Sequence, residues 1–251
     1  DINLLDTAVA YGDSEDVLGN IGVRKFDVVS KLPAVSESAV DIESWVIKHV
    51  EASLIRLGKT SLYGLLLHSP ENLLHNSGKR LINALIRVQS SGLVQKLGVS
   101  IYDPSELDKV MHLMRIDLVQ APLNLIDRRL ETSGWLSKLN QEGVEVHTRS
   151  TFLQGLLLMP RDKVPEKFKA WNFLWDKWAA EIEEHKISAV AACLSYPLHL
   201  SEVNRVVVGV ESVEHLKKLV TASKIQPPQY DFSSMVSQDQ SLINPSNWKY
   251  L

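Results

Sequence analysis

The chain has 251 residues, 45% of them hydrophobic and 23% charged, with a formal net charge of −3. That length suits one large domain, an α/β barrel among others, or two smaller ones, and the charge gives no electrostatic basis for binding nucleic acid or an anionic membrane surface. One cysteine, Cys193, excludes an internal disulfide framework and predicts a reducing, cytoplasmic compartment, and no apolar stretch approaches the roughly 20 residues of a membrane helix.

The first apolar run, INLLDTA from Ile2, ends abruptly at Asp6, and Tyr11 follows five residues later. The chain starts inside this strand pattern and without methionine, so residues upstream of Asp1 are expected. FDVVSKL from Phe26 is the second run, followed by SWVIKHVEASLIRLG, which places Trp45, Val46, His49, Val50, Leu54 and Leu57 on one helical stripe. SLYGLLLHS from Ser61 is the third, with a helical pattern after it in GKRLINALIRVQSSG. VQKLGVSIY from Val94 leads into PSELDKVMHLMR, where Pro104 and Ser105 suit a helix start. DLVQAPLNL, VEVHTRSTF and RVVVGV complete the set, and Gly58, Gly92 and Gly143 mark helix ends. Several runs are apolar on both faces, as buried parallel strands are.

Strands alternating with helices predict right-handed crossovers and a parallel sheet. Seven such units, with a start mid-pattern, predict an α/β fold of the (β/α)8 TIM barrel type lacking its first βα unit. An open doubly wound sheet is the alternative. The barrel is expected over residues 1–225 as a single domain. The polar, proline-bearing stretch 226–251 is expected to be a loop or partly disordered end.

In a barrel, function sits where strands end. Asp6 and Tyr11 follow the first run, Lys31 ends the second, His68 the third and Ser100 the fourth, while Gln120 and Asn124 lie on the fifth. Each has a plain structural reading. Asp6 suits a turn, Lys31 can snorkel to solvent, Tyr11 can pack, and a lone histidine at a strand end is commonly structural. Together they suit one chemistry. A tyrosine, with pKa about 10, is a weak acid–base at neutral pH. A nearby ammonium favours its phenolate, a carboxylate holds the ammonium, and an imidazole hydrogen-bonds a carbonyl oxygen.

DTAVAYGDSEDVLG, VVSKL and LLLHSPEN resemble the aldo-keto reductase superfamily, and the likeness runs on through KLGVSIY, LVQAPLN, RSTFLQGLLL and VVVGVESVEHL. The resemblance implies a barrel that binds an extended nicotinamide cofactor, NADPH with NADH as the alternative, without a Rossmann domain; G-x-G-x-x-G and Walker-type loops are both absent. It implies Tyr11 as general acid, Lys31 with Asp6 tuning it, His68 orienting the carbonyl, and Ser100 and Gln120 holding the nicotinamide carboxamide. Arg149 and Ser150 fall near the ring-stacking position, and Gly209, Ser212 and His215 near the 2′-phosphate positions. Ile101 stands where the family often has asparagine, and Arg149 where it often has a tyrosine. The substrate implied is a small carbonyl, with a sugar-like one suggested by DRRLETSGWL and RSTFLQGLLLMP. A non-catalytic nicotinamide-binding barrel is the alternative reading. Trp171, Trp175 and Trp178 form a helical stripe read as core, and Cys193 reads as a buried apolar residue. No histidine has metal-ligand spacing, His147 being a lone candidate.

Overall fold

Runs of Val, Leu and Ile without a polar face can be satisfied only by burial on both sides, and the chain forms parallel strands from them. The computed structural model describes residues 2–36, 41–225 and 232–251. Its contacts separate into two units, Asp1–Gln120 with Glu142–Glu145, and Ala121–Gln141 with Val146–Leu251. No helix among the described residues is long and apolar enough to cross a membrane.

The first unit alternates strand and helix: β1 (Leu4–Asp6), α1 (Ser14–Ile21), β2 (Asp27–Leu32), α2 (Ile42–Leu57), β3 (Leu62–Leu67), α3 (Gly78–Ser90), β4 (Val94–Ser100) and α4 (Ser105–Val110), then β5 (Leu118–Pro122), whose last two residues belong to the second unit. Each strand pairs in parallel with the next, in registers that include Asp6↔Val29, Lys31↔Leu66, Leu67↔Val99 and Ser100↔Gln120. Val28, Val29, Leu65, Leu66, Leu67, Val99 and Val119 are buried. Burying each such side chain contributes about 1.5–3 kcal/mol relative to leaving it exposed. The predicted glycines act as helix stops: Gly58, at φ +62°, returns its N–H to Ile55 and Leu54 at the end of α2.

Two polar clusters, one around buried Glu15 and one around buried Glu145, tie the elements together. Glu15 of α1 accepts from Ser30 Oγ of β2 (2.6 Å) and from two nitrogens of Arg56 of α2 (2.8 and 2.5 Å). At the amino ends of the strands, Tyr63 Oη donates to Glu145 Oε2 (2.7 Å), and Lys96 donates both to Tyr63 Oη (2.9 Å) and to Glu145. Burial and the Glu145 carboxylate push the Tyr63 phenol above its ordinary pKa, against the opposing pull of Lys96. Burial lowers the Lys96 value, but its hydrogen bonds to Glu145 and Tyr63 outweigh this and leave it raised.

In the second unit α5 (Arg129–Thr132) and α6 (Trp135–Gln141) precede β6 (Glu145–Arg149), whose first residue belongs to the first unit, and α7 (Asn172–Glu184), α8 (Ala189–His199), β7 (Arg205–Val206), α9 (Val213–Ala222) and α10 (Gln240–Ile243) follow. β6 pairs in parallel with β7 through His147↔Arg205 and Thr148↔Val206. RVVVGV, expected as a full strand, forms only two residues of ladder, with one further bond from the Val207 N–H to the Thr148 carbonyl. Among the described residues β7 pairs with one strand only, as does three-residue β1, and a ladder on one side sustains less strand.

The tryptophan stripe is core. Trp171, Trp175 and Trp178 pack with Phe168, Phe232, Met235, Leu242 and Ile243, and their indole N–H groups donate to Asp239, the Phe168 carbonyl and the Leu157 carbonyl. The tail therefore differs from the expected loose end. Residues 226–231 lie outside the described residues, but from Phe232 onward apolar side chains spaced among polar ones anchor the segment on α7.

Gly98 of β4 faces Leu118 of β5 so closely that an added Cβ would lie 1.9 Å from the Leu118 carbonyl oxygen. Gly98→Ala is expected to cost about 3 kcal/mol or more, read from urea denaturation. The Tyr63–Lys96–Glu145 cluster makes a second expectation. Both raised groups stabilise the fold fully below their unfolded values of 10.0 and 10.5, and lose that contribution as pH rises through the folded values. The thermal midpoint should fall from about pH 10 upward, less steeply in Tyr63→Phe than in wild type, because that change removes one raised group and one of the partners that raise Lys96.

Candidate active site

The carboxyl ends of β1 to β5 gather the polar residues singled out in the sequence. Beyond β1 the chain stays zipped to β2, the Thr7 N–H donating to the Val29 carbonyl (2.9 Å) and the Val9 N–H to the Lys31 carbonyl (3.2 Å). A turn follows, with the Tyr11 N–H on the Ala8 carbonyl (3.0 Å). Gly12 at φ +59° then lets the chain reverse into α1. This zippering lays the phenol beside the lysine of the neighbouring strand.

Lys31 is 1% exposed. Its Nζ donates to Asp6 Oδ2 at 2.6 Å and to the Thr7 carbonyl at 2.9 Å, and lies 5.1 Å from the centroid of the Tyr11 ring. A buried ammonium needs an opposite charge and satisfied protons. Asp6 supplies the charge, and the Thr7 carbonyl takes a second proton. The other Asp6 oxygen, Oδ1, accepts from Gln120 Nε2 at 2.7 Å. Tyr11 is 47% exposed, so this residue reaches solvent while the cation beside it does not.

His68 continues β3 by one residue, its N–H donating to the Leu32 carbonyl (3.1 Å). Its ring meets that of Tyr11 edge-on, with centroids 5.9 Å apart and planes at 75°. Ser100 is buried at the end of β4, in register with Gln120, and the N–H of buried Ile101 donates to the Gln120 carbonyl (2.9 Å). Asp6, Tyr11, Lys31, His68 and Gln120 thus form one contact set, with Ser100 at its side. A carboxylate, an ammonium, a phenol and an imidazole in this order can hold a polarised oxygen and pass it a proton.

The remaining predicted residues lie in the second unit. Arg149 ends β6 and donates from Nη1 to Ser150 Oγ (3.3 Å). The Ser150 carbonyl accepts from Asn124 Nδ2 (3.0 Å), and Ser150 takes φ +62°. Ser212 caps α9 by accepting the His215 N–H (3.1 Å), while Gly209 is exposed on the approach to that helix. Two features escaped the sequence reading. Leu153 and Gln154 also have positive φ (+45° and +54°), so the turn after β6 holds three strained non-glycine residues. The buried Leu153 side chain anchors this turn in the tryptophan cluster. Nothing in RSTFLQG other than its glycine signals such a turn. Second, a largely apolar cavity of about 280 Å³ is walled by Leu156, Leu158, Trp175, Trp178 and Ile182, and contains none of the predicted site residues.

Comparison with known proteins agrees with the sequence reading. The model of the Aldo/keto reductase family matches residues 1–240. No curated protein matches the chain. Among solved structures, the holo form of aldo-keto reductase AKR11C1 from Bacillus halodurans is similar, with a TM-score of 0.77 at 19% identity, covering 98% of this chain and 85% of that one. Its apo form gives 0.74 at 21% identity, over 93% and 80%. The glycerol dehydrogenase AKR11B4 from Gluconobacter oxydans gives 0.62 at 21% identity, over 92% and 85%. The fold is accordingly the expected α/β barrel type, with seven strands in place among the described residues.

The buried ion pair makes a testable expectation. Asp6→Ala strands the Lys31 charge and should destabilise the protein by about 3–5 kcal/mol. The double substitution Asp6→Leu with Lys31→Met should recover most of that loss in urea denaturation, because no unpaired charge remains.

Proposed function

Because the chain belongs to the aldo/keto reductase family, we propose that it reduces an aldehyde or ketone to an alcohol using a reduced nicotinamide dinucleotide, NADPH first and NADH as the alternative. The observation that carries this reading is a buried lysine, held by an aspartate, beside a half-exposed tyrosine.

Ser100 and Gln120 suit an amide ligand, being buried polar side chains in register at neighbouring strands, able to donate and accept. The resemblance assigns further nucleotide contacts to Arg149, Ser150, Gly209, Ser212 and His215. Next to Ser150, the buried Thr151 hydroxyl has no hydrogen-bond partner among the described residues. A reduced nicotinamide held there would supply the hydride for the carbonyl carbon.

The chain's own residues manage the proton. Tyr11 Oη donates to the carbonyl oxygen and gives up its proton as negative charge develops there. A phenol of ordinary pKa, about 10, resists this at neutral pH. The Lys31 ammonium favours the phenolate left behind, and Asp6 keeps that ammonium charged and in place. The His68 ring, edge-on to Tyr11, gives the same oxygen a second partner and fixes its direction. Acid–base assistance of this kind is worth roughly 10²–10⁴-fold in rate. The exposure of Tyr11 favours a small carbonyl that approaches from solvent, and a sugar-like compound is the class to try first.

Turnover of a carbonyl panel, followed by loss of reduced-cofactor absorbance, tests the assignment. Tyr11→Phe should lower kcat by about 10²–10⁴-fold while leaving cofactor affinity within a few-fold. Equal rates in the two proteins would remove Tyr11 from the chemistry, and tight cofactor binding without any turnover would favour a non-catalytic barrel.

A further inference from the structure

Gln120 is 1% exposed, and a buried primary amide has two protons to place. One goes to Asp6 Oδ1 at 2.7 Å, across 114 residues of chain. The opposite oxygen of the same carboxylate takes the Lys31 ammonium at 2.6 Å. We propose that Gln120 is a positioning residue, whose amide locks the Asp6 carboxylate so that it holds Lys31 against Tyr11. The consequence for turnover rests on the reductase reading; the role itself is independent of any nicotinamide contact.

Three physical points carry this. The terminal torsion of an aspartate is soft and roughly two-fold, so one donor leaves the carboxylate free to swing. Donors on both oxygens fix its plane, and with it the direction from which Lys31 is held.

The donor must also be neutral. An arginine or lysine at position 120 would offset the Asp6 charge and weaken its hold on Lys31. A glutamate would place a second negative charge beside the first. A buried amide orients the carboxylate and leaves its charge to the lysine.

The donor is also rigid. The Gln120 backbone is pinned in the β4–β5 ladder, its carbonyl accepting the Ile101 N–H at 2.9 Å. β1 and β5 are not neighbours in the first unit, so the bond from Gln120 to Asp6 crosses the interior and does not follow a ladder. It fixes the end of β1 to a strand that register alone does not reach.

The test reads Tyr11 directly in the full chain without cofactor. Tyrosinate absorbance is titrated with pH in each background, and the same background carrying Tyr11→Phe is subtracted to cancel the other tyrosines. Gln120→Met keeps the size and removes the donor. It should raise the Tyr11 midpoint by about one unit, since a looser Asp6 lets Lys31 drift from the ring, and the alkaline limb of kcat should move with it. Gln120→Leu, likewise neutral and without a donor, guards against a methionine variant that fails to fold, and should move the midpoint in the same direction. An unmoved midpoint in both variants, with reduced-nicotinamide affinity weakened in fluorescence titration, would leave Gln120 as a nicotinamide ligand alone and overturn the proposal. A shifted midpoint in a protein that turns over no carbonyl would uphold the positioning role and remove the reductase reading.

Discussion

An ammonium group taken out of water has to be answered inside the protein, and the answer to Lys31 organises the first unit. Desolvation disfavours the charged form by several kcal/mol, and only a well-placed counter-charge with all protons satisfied offsets it. Asp6 supplies the charge, the Thr7 carbonyl takes another proton, and Gln120 occupies the far oxygen of Asp6. These contacts come from β1 with the loop after it, β2 and β5, so the full set forms only when three separate stretches of chain are in register.

That dependence explains why the ladders matter to the site. The register Asp6↔Val29 brings the end of β1 level with β2, and the bond from the Val9 N–H to the Lys31 carbonyl carries the following loop alongside it. Tyr11 arrives beside the lysine through backbone geometry, half-exposed beside a shielded cation. The strands also separate two polar clusters. Tyr63, Lys96 and Glu145 satisfy one another at the amino ends, where polar groups serve stability, while the carboxyl ends keep theirs partly open to solvent.

The second unit answers a different constraint. Helices α7, α8 and α10 and the C-terminal segment share one aromatic core, in which each stripe tryptophan buries a large apolar surface and spends its single N–H on a fixed acceptor. The same core holds Leu153, and through it a turn whose backbone would be costly on its own. Family membership rests on the sequence match over residues 1–240. The solved structures, at about a fifth identity, speak for the fold.

Periodicity alone determined the alternation of strand and helix, because burial on both faces imposes continuous apolar runs and helix ends favour glycine. It also placed Asp6, Tyr11, Lys31 and His68 at successive strand ends. The lengths of β1 and β7 were not legible, since an apolar run does not say whether a second ladder will support it. The packed tail was hidden for a related reason: Phe232, Met235, Leu242 and Ile243 sit among polar residues, and only contact with α7 reveals them as core. Tertiary structure alone decided the partner of Gln120. Its amide meets Asp6 from 114 residues away, and no local pattern encodes a hydrogen bond that forms only when non-adjacent strands are folded to face one another.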